Sequence, residues 1–415
     1  MTTEIITFGC RLNAFESEIM RDHARAAGLE NAVIVNTCAV TGEAERQARQ
    51  TIRRLRREHP DARIIVTGCA AQLNPGAYAA MPEVDRVLGN IAKLRPENFA
   101  PNLSGTMFID DVMAAPDTAL PRIGGFTGRS RAFSQVQQGC DHRCTFCVIP
   151  FARGPSHSVP PERILAQVRE LVTNGYSEIV LTGVDLTAYG EDLSDPLPLG
   201  RLVMRILKQV PELERLRLSS LDPVEIDAAL FDAVASQPRL MPHIHLSLQA
   251  GDDLVLKRML RRHRRDDGIR LCERLRAARP GIALGADIIA GFPTETEAMF
   301  ENSLALVEAC GLTHLHVFPY SPRPDTPAAR MPQISGDVVR ARATRLRAAG
   351  SAAMGRFLAQ QVGTVARVLV ESPGFGHCEH YLPVRFDAGA QMPGEIVTLR
   401  ITEATVDDMR GDILP

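Results

Sequence analysis

Cys140-Asp-His-Arg-Cys144-Thr-Phe-Cys147 decides the reading of this 415-residue chain. The C-x3-C-x2-C spacing sets three thiolates on one short loop, enough to hold three irons of a 4Fe-4S cluster while the fourth iron keeps an open position. A structural zinc site would need four closed ligands, ordinarily in paired C-x2-C knuckles, and there is no second knuckle. Around the loop, from about residue 131 to 320, strand and helix patterns alternate. Strand candidates are 133–137, 178–182, 215–218, 243–248, 284–289 and 314–318. Helical patterns separate them, including 161–173 with prolines at its start, where they are tolerated. Six such units predict a partial barrel whose chemistry lies at the carboxyl ends of the strands, where the cysteine loop falls.

Toward the N-terminus three apolar, β-branched runs, 5–10, 32–38 and 63–69, end in Cys10, Cys38 and Cys69. Each precedes a helical pattern, so the strands should lie parallel with all three cysteines on one edge. Free cysteine often serves as a small buried hydrophobe, but repetition at one structural position argues for a second three-thiolate site with an open iron.

Composition sets bounds. The length suits about two to four domains, and 45% hydrophobic residues are enough for real cores. No run approaches the ~20 apolar residues of a membrane span, and no basic n-region marks a secretory signal. Nine cysteines then point to a reducing cytoplasm and metal binding rather than disulfides. Lysine occurs only at 93, 208 and 257, so arginine abundance by itself says nothing about RNA.

After a proline-rich break at 320–330 comes a helical stretch, 338–361, and then short strands at 365–370, 381–386, 395–401 and near Ile413. These predict a small β-barrel.

The cysteine loop resembles the radical SAM superfamily, and the whole chain resembles its methylthiotransferase family. The matching stretches, in the family's order, are Thr7-Phe-Gly-Cys-Arg-Leu-Asn-Ala-Phe-Glu-Ser17, Asn36-Thr-Cys-Ala-Val40, Gly68-Cys-Ala-Ala-Gln72, Gln138 to Pro150, Ala152-Arg-Gly154, Ser247-Leu-Gln-Ala-Gly251 and Tyr320 to Pro327. The resemblance implies an α/β chain of three parts: an N-terminal parallel α/β methylthiotransferase domain (1–120), a radical SAM partial (β/α)6 barrel (126–355), and a small OB-like β-barrel of TRAM type that binds RNA (356–415). It implies S-adenosylmethionine and two 4Fe-4S clusters as cofactors. Cys140, Cys144 and Cys147 would hold the cluster that cleaves SAM; Cys10, Cys38 and Cys69 would hold the one whose open iron takes the sulfur or methylthio donor. By position, Thr182, Gly183 and Val184 would offer backbone to the methionyl group, Ser219 and Ser220 would meet its ribose or carboxylate, and Gly291 would pass near its adenine. A glycine after a strand is also simply a turn. The implied partners are a tRNA anticodon loop, a small electron-donor protein and a sulfur donor, in the cytoplasm and away from membranes.

Within the family, Leu181-Thr-Gly-Val-Asp-Leu-Thr-Ala-Tyr-Gly190 and Phe151-Ala-Arg-Gly-Pro-Ser-His-Ser158 resemble the branch acting on threonylcarbamoyladenosine at tRNA position 37. His157 departs from it, standing where an arginine is usual. Other branches act on isopentenyladenosine in tRNA or on a ribosomal-protein aspartate. Arg153 is the candidate for the threonylcarbamoyl carboxylate, since a guanidinium offers two parallel hydrogen bonds; bracing the cluster loop is its plainer role. A non-catalytic iron–sulfur RNA-binding regulator is the reading from another class. It would show loss of the open site or of the SAM-facing barrel, and neither is lost.

Two arginine-dense stretches, 46–57 (with Arg53, Arg54 and Arg57) and 257–265, are either phosphate contacts or solvated helix faces. The pairs His243/His245 and His314/His316 each face one side of a strand and read as pocket histidines rather than metal ligands. Cys272, Cys310 and Cys378 read as structural. The C-terminal 55 residues hold four arginines and no lysine against eight Asp and Glu, a poor balance for phosphate binding.

Overall fold

The computed structural model describes residues 3–114 and 121–414; the expected end of the first domain, at residue 120, lies outside them. Strands β1 (Glu4–Thr7), β2 (Ala32–Thr37), β3 (Arg63–Gly68), β4 (Arg86–Leu88) and β5 (Met107–Phe108) pair in that order, every ladder parallel. β2 is buried along its whole length, as a parallel strand covered on both faces should be. Helices α1 (Arg11–Ala26) and α2 (Gly42–Glu58) make the first two crossovers. α2 starts where Thr41 accepts a hydrogen bond from Ala44 N–H, with Glu43 and Glu45 in its first turn and Arg56 and Arg57 in its last, all favourable for the helix dipole. β1 stops at Thr7, short of the expected 5–10, because Gly9 turns the chain at φ +89°.

The central unit contains β6 (Ala132–Gln135), a short antiparallel pair β7 (Gln137–Gln138) and β8 (His157–Ser158), and then β9 (Glu178–Thr182), β10 (Arg215–Leu218), β11 (His243–Gln249), β12 (Ala283–Ala290) and β13 (Leu312–Pro319). β6, β9 and β10 form one parallel sheet, and β11, β12 and β13 another. Leu221 N–H donates to His245 O at 2.9 Å and Ser247 N–H to Leu221 O at 2.9 Å. Those bridges join the sheets into the open six-stranded barrel the alternation predicts. Its core also takes in Ala14, Phe15 and Ile19 of α1, so the N-terminal domain is seated on the barrel.

β14 (Val365–Ser372), β15 (Phe375–His377), β16 (Pro383–Arg385), β17 (Ile396–Ala404) and β18 (Met409–Ile413) close a five-stranded barrel. β15 is an addition to the expected strands, and the expected 381–386 shortens because Tyr381 sits in a turn at φ +63°. Helix Gly336–Ala359 joins the last two units. Ala343, Leu346 and Ala353 pack into the central core and Leu358 into the small barrel, so the expected boundary at 355/356 falls inside one helix. Among the described residues no helix is long and apolar enough to cross a membrane.

Candidate functional site

The ends of three neighbouring strands converge. Cys10 caps α1 and is exposed; Cys38 follows β2 and Cys69 opens helix α3 (Cys69–Leu73), both buried. A Cβ on Gly9 would stand 2.7 Å from Cys38 Cβ, so only glycine lets the two loops touch. Burial pushes the Cys38 thiol up to about 11, and the neighbouring Cys69 and Cys10 act in the same direction.

The second triplet sits in a braced loop between β7 and β8. Cys140 N–H donates to Gly154 O (3.1 Å), Thr145 N–H to Met259 O (3.1 Å), and Thr145 Oγ1 to Arg258 O (2.8 Å). Cys140 Sγ lies 3.6 Å from Asp185 Oδ2. Burial pushes Cys147 up to about 11, with Cys144 and, from the other triplet, Cys69 adding to it. Cys147 and Cys69 therefore sense each other across the domain seam.

Both triplets suit an iron–sulfur centre better than a single ion. A tetrahedral zinc with Zn–S near 2.3 Å draws its sulfurs to about 3.8 Å apart. Among the described residues, the ligand groups gathered within 4.8 Å of one another include neither cysteine triplet.

Arg153 corrects an expectation. Its side chain is 2% exposed, and its Nη atoms donate to Glu16 Oε1 (2.8 Å), Glu16 Oε2 (3.1 Å), Asn13 Oδ1 (2.7 Å) and Gln138 Oε1 (3.1 Å). The guanidinium is fully engaged inside the protein and has no donor left for a substrate carboxylate. Its electrostatic neighbours are Cys69, Glu16 and Cys10.

Between the triplets a cleft of ≈ 180 Å³ is lined by Val40 and Thr41, which follow Cys38, by Phe146 beside Cys147, and by Gln249, Asp287, Ile289, Phe318, Tyr320 and Ser321. Gly42 N–H donates to Ser321 Oγ at 3.0 Å and Arg323 pairs with Glu45, tying this barrel rim to α2. Thr182 ends β9, and Gly183 packs its Cα against Gln137, whose Oε1 would lie 2.9 Å from an added Cβ; Val184 follows, half-buried. Ser219 and Ser220 follow β10, and the buried Ser219 Oγ has no hydrogen-bond partner among the described residues, a vacancy a polar ligand group would fill. Gly291 ends β12, yet its close approach is to Val339, 2.7 Å from an added Cβ, and its N–H donates to Glu295.

Sequence reasoning misses the polar collar beside the cluster loop. His142 Nε2 lies 2.9 Å from Asp185 Oδ2 and 3.7 Å from Glu225 Oε1; hydrogen bonds to these carboxylates push its pKa up to about 10. His142 and Asp185 both stand inside the motifs quoted above, which was the available signal. The arginine stretch 257–265 is largely consumed here rather than free: Arg261 pairs with Asp222 (2.6 Å), Arg262 with Glu225 (2.5 Å), and Arg258 donates to Thr294 O (3.3 Å).

On α2 the arginines divide. Arg46, Arg49 and Arg56 pair with Glu43, Glu45 and Asp85. Arg53, Arg54 and Arg57 are exposed and line an open groove with Phe8, Gln47, Gln50 and Thr51; of these three only Arg54 has an ion pair among the described residues, to Glu58 at 3.8 Å. The histidines behave as pocket residues: His245 and His316 both hydrogen-bond Asp287 Oδ1 (2.9 and 3.2 Å), while His243 packs on His314 and Tyr381. Cys272 and Cys310 lie in the central core and Cys378 in that of the small barrel.

The braced three-thiolate loop on a parallel partial barrel defines a radical SAM protein, and residues 134–307 match the model of the Radical SAM superfamily. Residues 2–89 match the model described as Uncharacterized protein family UPF0004. The threonylcarbamoyladenosine tRNA methylthiotransferase MtaB of Rickettsia prowazekii (strain Madrid E) is 50% identical over 92% of this chain and 91% of its own length. The Bacillus subtilis (strain 168) protein of that name is 33% identical over 97% and 94%, and the tRNA-2-methylthio-N(6)-dimethylallyladenosine synthase of Cereibacter sphaeroides (strain ATCC 17029 / ATH 2.4.9) 36% over 99% and 98%. The chain belongs to the radical SAM methylthiotransferase family, in its MtaB branch. Among solved structures, the radical S-adenosylmethionine methyltransferase TsrM from Kitasatospora setae shares the fold, with a TM-score of 0.51 at 15% identity over 86% of this chain and 69% of that one.

Proposed function

We propose that the protein transfers a methylthio group to carbon 2 of N6-threonylcarbamoyladenosine at position 37 of tRNA. One observation carries this reading: two three-thiolate sets, from different domains, face a single cleft, with Cys69 and Cys147 within electrostatic reach. When bound, SAM and the Cys140/Cys144/Cys147 cluster supply a 5′-deoxyadenosyl radical, which suits an unactivated aromatic C–H bond. Cys10, Cys38 and Cys69 hold the second 4Fe-4S cluster. Ser219 Oγ and the backbone of residues 182–184 receive the polar end of SAM. Phe146, Ile289 and Phe318 wall the cleft and keep water from the reacting carbon, while Gln249, Asp287 and Ser321 offer the base its polar contacts. A nucleotide enters only when turned out of its stack; Arg53, Arg54 and Arg57 hold the backbone of the anticodon loop outside. A small electron-donor protein and a sulfur donor complete the reaction in the cytoplasm.

The relative at 50% identity carries the threonylcarbamoyladenosine name, and the dimethylallyladenosine relative stands at 36%. The physical warrant is that a site built for a carboxylate and amide groups leaves its polar partners unpaired around an apolar isoprenoid, a difference of ~10⁴-fold or more. Incubating the reconstituted enzyme with tRNAs bearing each modification, then measuring methylthio-nucleosides by mass spectrometry, tests it. Turnover on the threonylcarbamoyl form is expected; comparable turnover on both, or on the isoprenoid form alone, overturns the substrate assignment.

A further inference from the structure

Lys93, one of only three lysines in the chain, is sealed inside it. Its Nζ donates to Glu16 Oε2 at 2.7 Å and to Asn90 Oδ1 at 2.7 Å, and the side chains of both Lys93 and Glu16 are 0% exposed. Glu16 also takes the forked pair from Arg153. Two cations thus share one carboxylate, the only one either reaches among the described residues. The group carries one surplus positive charge with no water to screen it, an unfavourable state unless an anion stands close by.

The anion is identified by the neighbours. Asn90 accepts from Lys93, donates to Ala152 O at 2.7 Å, and holds its Nδ2 3.8 Å from Cys69 Sγ. Lys93 is coupled electrostatically to Cys69, and Arg153 to Cys69 and Cys10. Neutral thiols would not balance the surplus; thiolates would.

We infer that Lys93 and Arg153 are positioning residues for an anionic centre at Cys10, Cys38 and Cys69, and that their surplus charge raises its reduction potential. This rests on the reading that the triplet holds a second iron–sulfur centre. The sign follows from Coulomb's law: reduction adds negative charge, which a fixed cation nearby favours. Removing Lys93 leaves Glu16 and Arg153 balanced and takes that support away. Neutralising Glu16 instead leaves two cations unopposed and strengthens it.

The test uses the full chain with Cys140, Cys144 and Cys147 changed to alanine, so that only the second centre remains. Iron content and an EPR-monitored redox titration are measured with Lys93, Lys93→Arg, Lys93→Met and Glu16→Gln. Lys93→Met should lower the midpoint so that the reduced-to-oxidised ratio falls about tenfold, or ~59 mV for one electron. Lys93→Arg should keep the parent value and Glu16→Gln should raise it. Equal midpoints in Lys93→Met and its parent, or shifts of one sign in Lys93→Met and Glu16→Gln, overturn the inference. Folded Lys93→Met and Lys93→Arg proteins that both fail to load iron also overturn it, because a packing role then suffices. A parent with no iron sinks the second centre itself, a failure distinct from these.

Discussion

Arg261 Nη1 lies 3.7 Å from Cys144 Sγ, while Nη2 of the same guanidinium pairs with Asp222 at 2.6 Å and donates to Ser247 O at 2.9 Å. A cation thus reaches the middle thiol of the cluster loop from a neighbouring turn, held by a carboxylate behind it. Groups that orient metal ligands in this way are worth about 10–100-fold in affinity or activity. Arg261→Met should cost that much in cluster retention or deoxyadenosine formation, read from iron analysis and product chromatography. Arg261→Lys, which keeps the charge but loses the fork, should fall between.

The two triplets should fail differently. Wild-type protein reconstituted without oxygen should hold about eight irons as two 4Fe-4S clusters, and the Cys140/Cys144/Cys147→Ala protein about four. Cys144→Ala should abolish 5′-deoxyadenosine formation. Cys38→Ala should leave it measurable while ending methylthio transfer. Equal loss of deoxyadenosine in both, with both folded, would sink this division of labour.

Glu178 makes stability depend on pH at the joint between the central unit and the small barrel. It pairs with Arg131, Arg217 and Arg215 at 2.7, 2.9 and 3.4 Å; Arg131 also pairs with Glu371, and Arg217 donates to Cys378 O and Glu379 O at 2.8 Å. Burial alone would raise its pKa, but the three arginines hold it at about 2, below the usual 4.5. The folded value is depressed, so its contribution is complete above about pH 4.5 and is lost as pH falls through 2. Glu178→Gln should cost about 3–5 kcal/mol near neutrality and lose less than wild type over that window, measured by urea unfolding of metal-free protein.

Tight salt dependence should mark the groove on α2. Each phosphate neutralised contributes about −0.7 to −0.9 to the slope of log affinity against log salt. Changing Arg53, Arg54 and Arg57 together to glutamine should flatten that slope for tRNA by about two to three. An unchanged slope in a folded variant would leave these side chains merely solvated.

Much of this was legible in the residues themselves. The runs ending in Cys10, Cys38 and Cys69 lie on neighbouring parallel strands because period and crossover length dictate it. The six central strands follow their apolar pattern, β6 stopping two residues early where Val136 breaks the ladder. Partners distant in sequence were not legible. Arg153 reads as a free guanidinium until Glu16, 137 residues away, is seen beneath it. Arg261 looks like one of a charge run, although the turn at Leu260, φ +58°, carries it inward. β15 is three residues around a glycine, too short to leave a pattern.

Helix Gly336–Ala359 has 24 residues, about 36 Å at 1.5 Å each, and it belongs to two cores at once. A linker would let the small barrel wander; a strut fixes it. Any nucleic acid gripped at that far end meets the cleft at a set span, so choice of nucleotide becomes a matter of measured length as well as chemical identity. One residue added within the helix would turn the outer barrel by about 100° and spoil the ruler while leaving every reacting group in place.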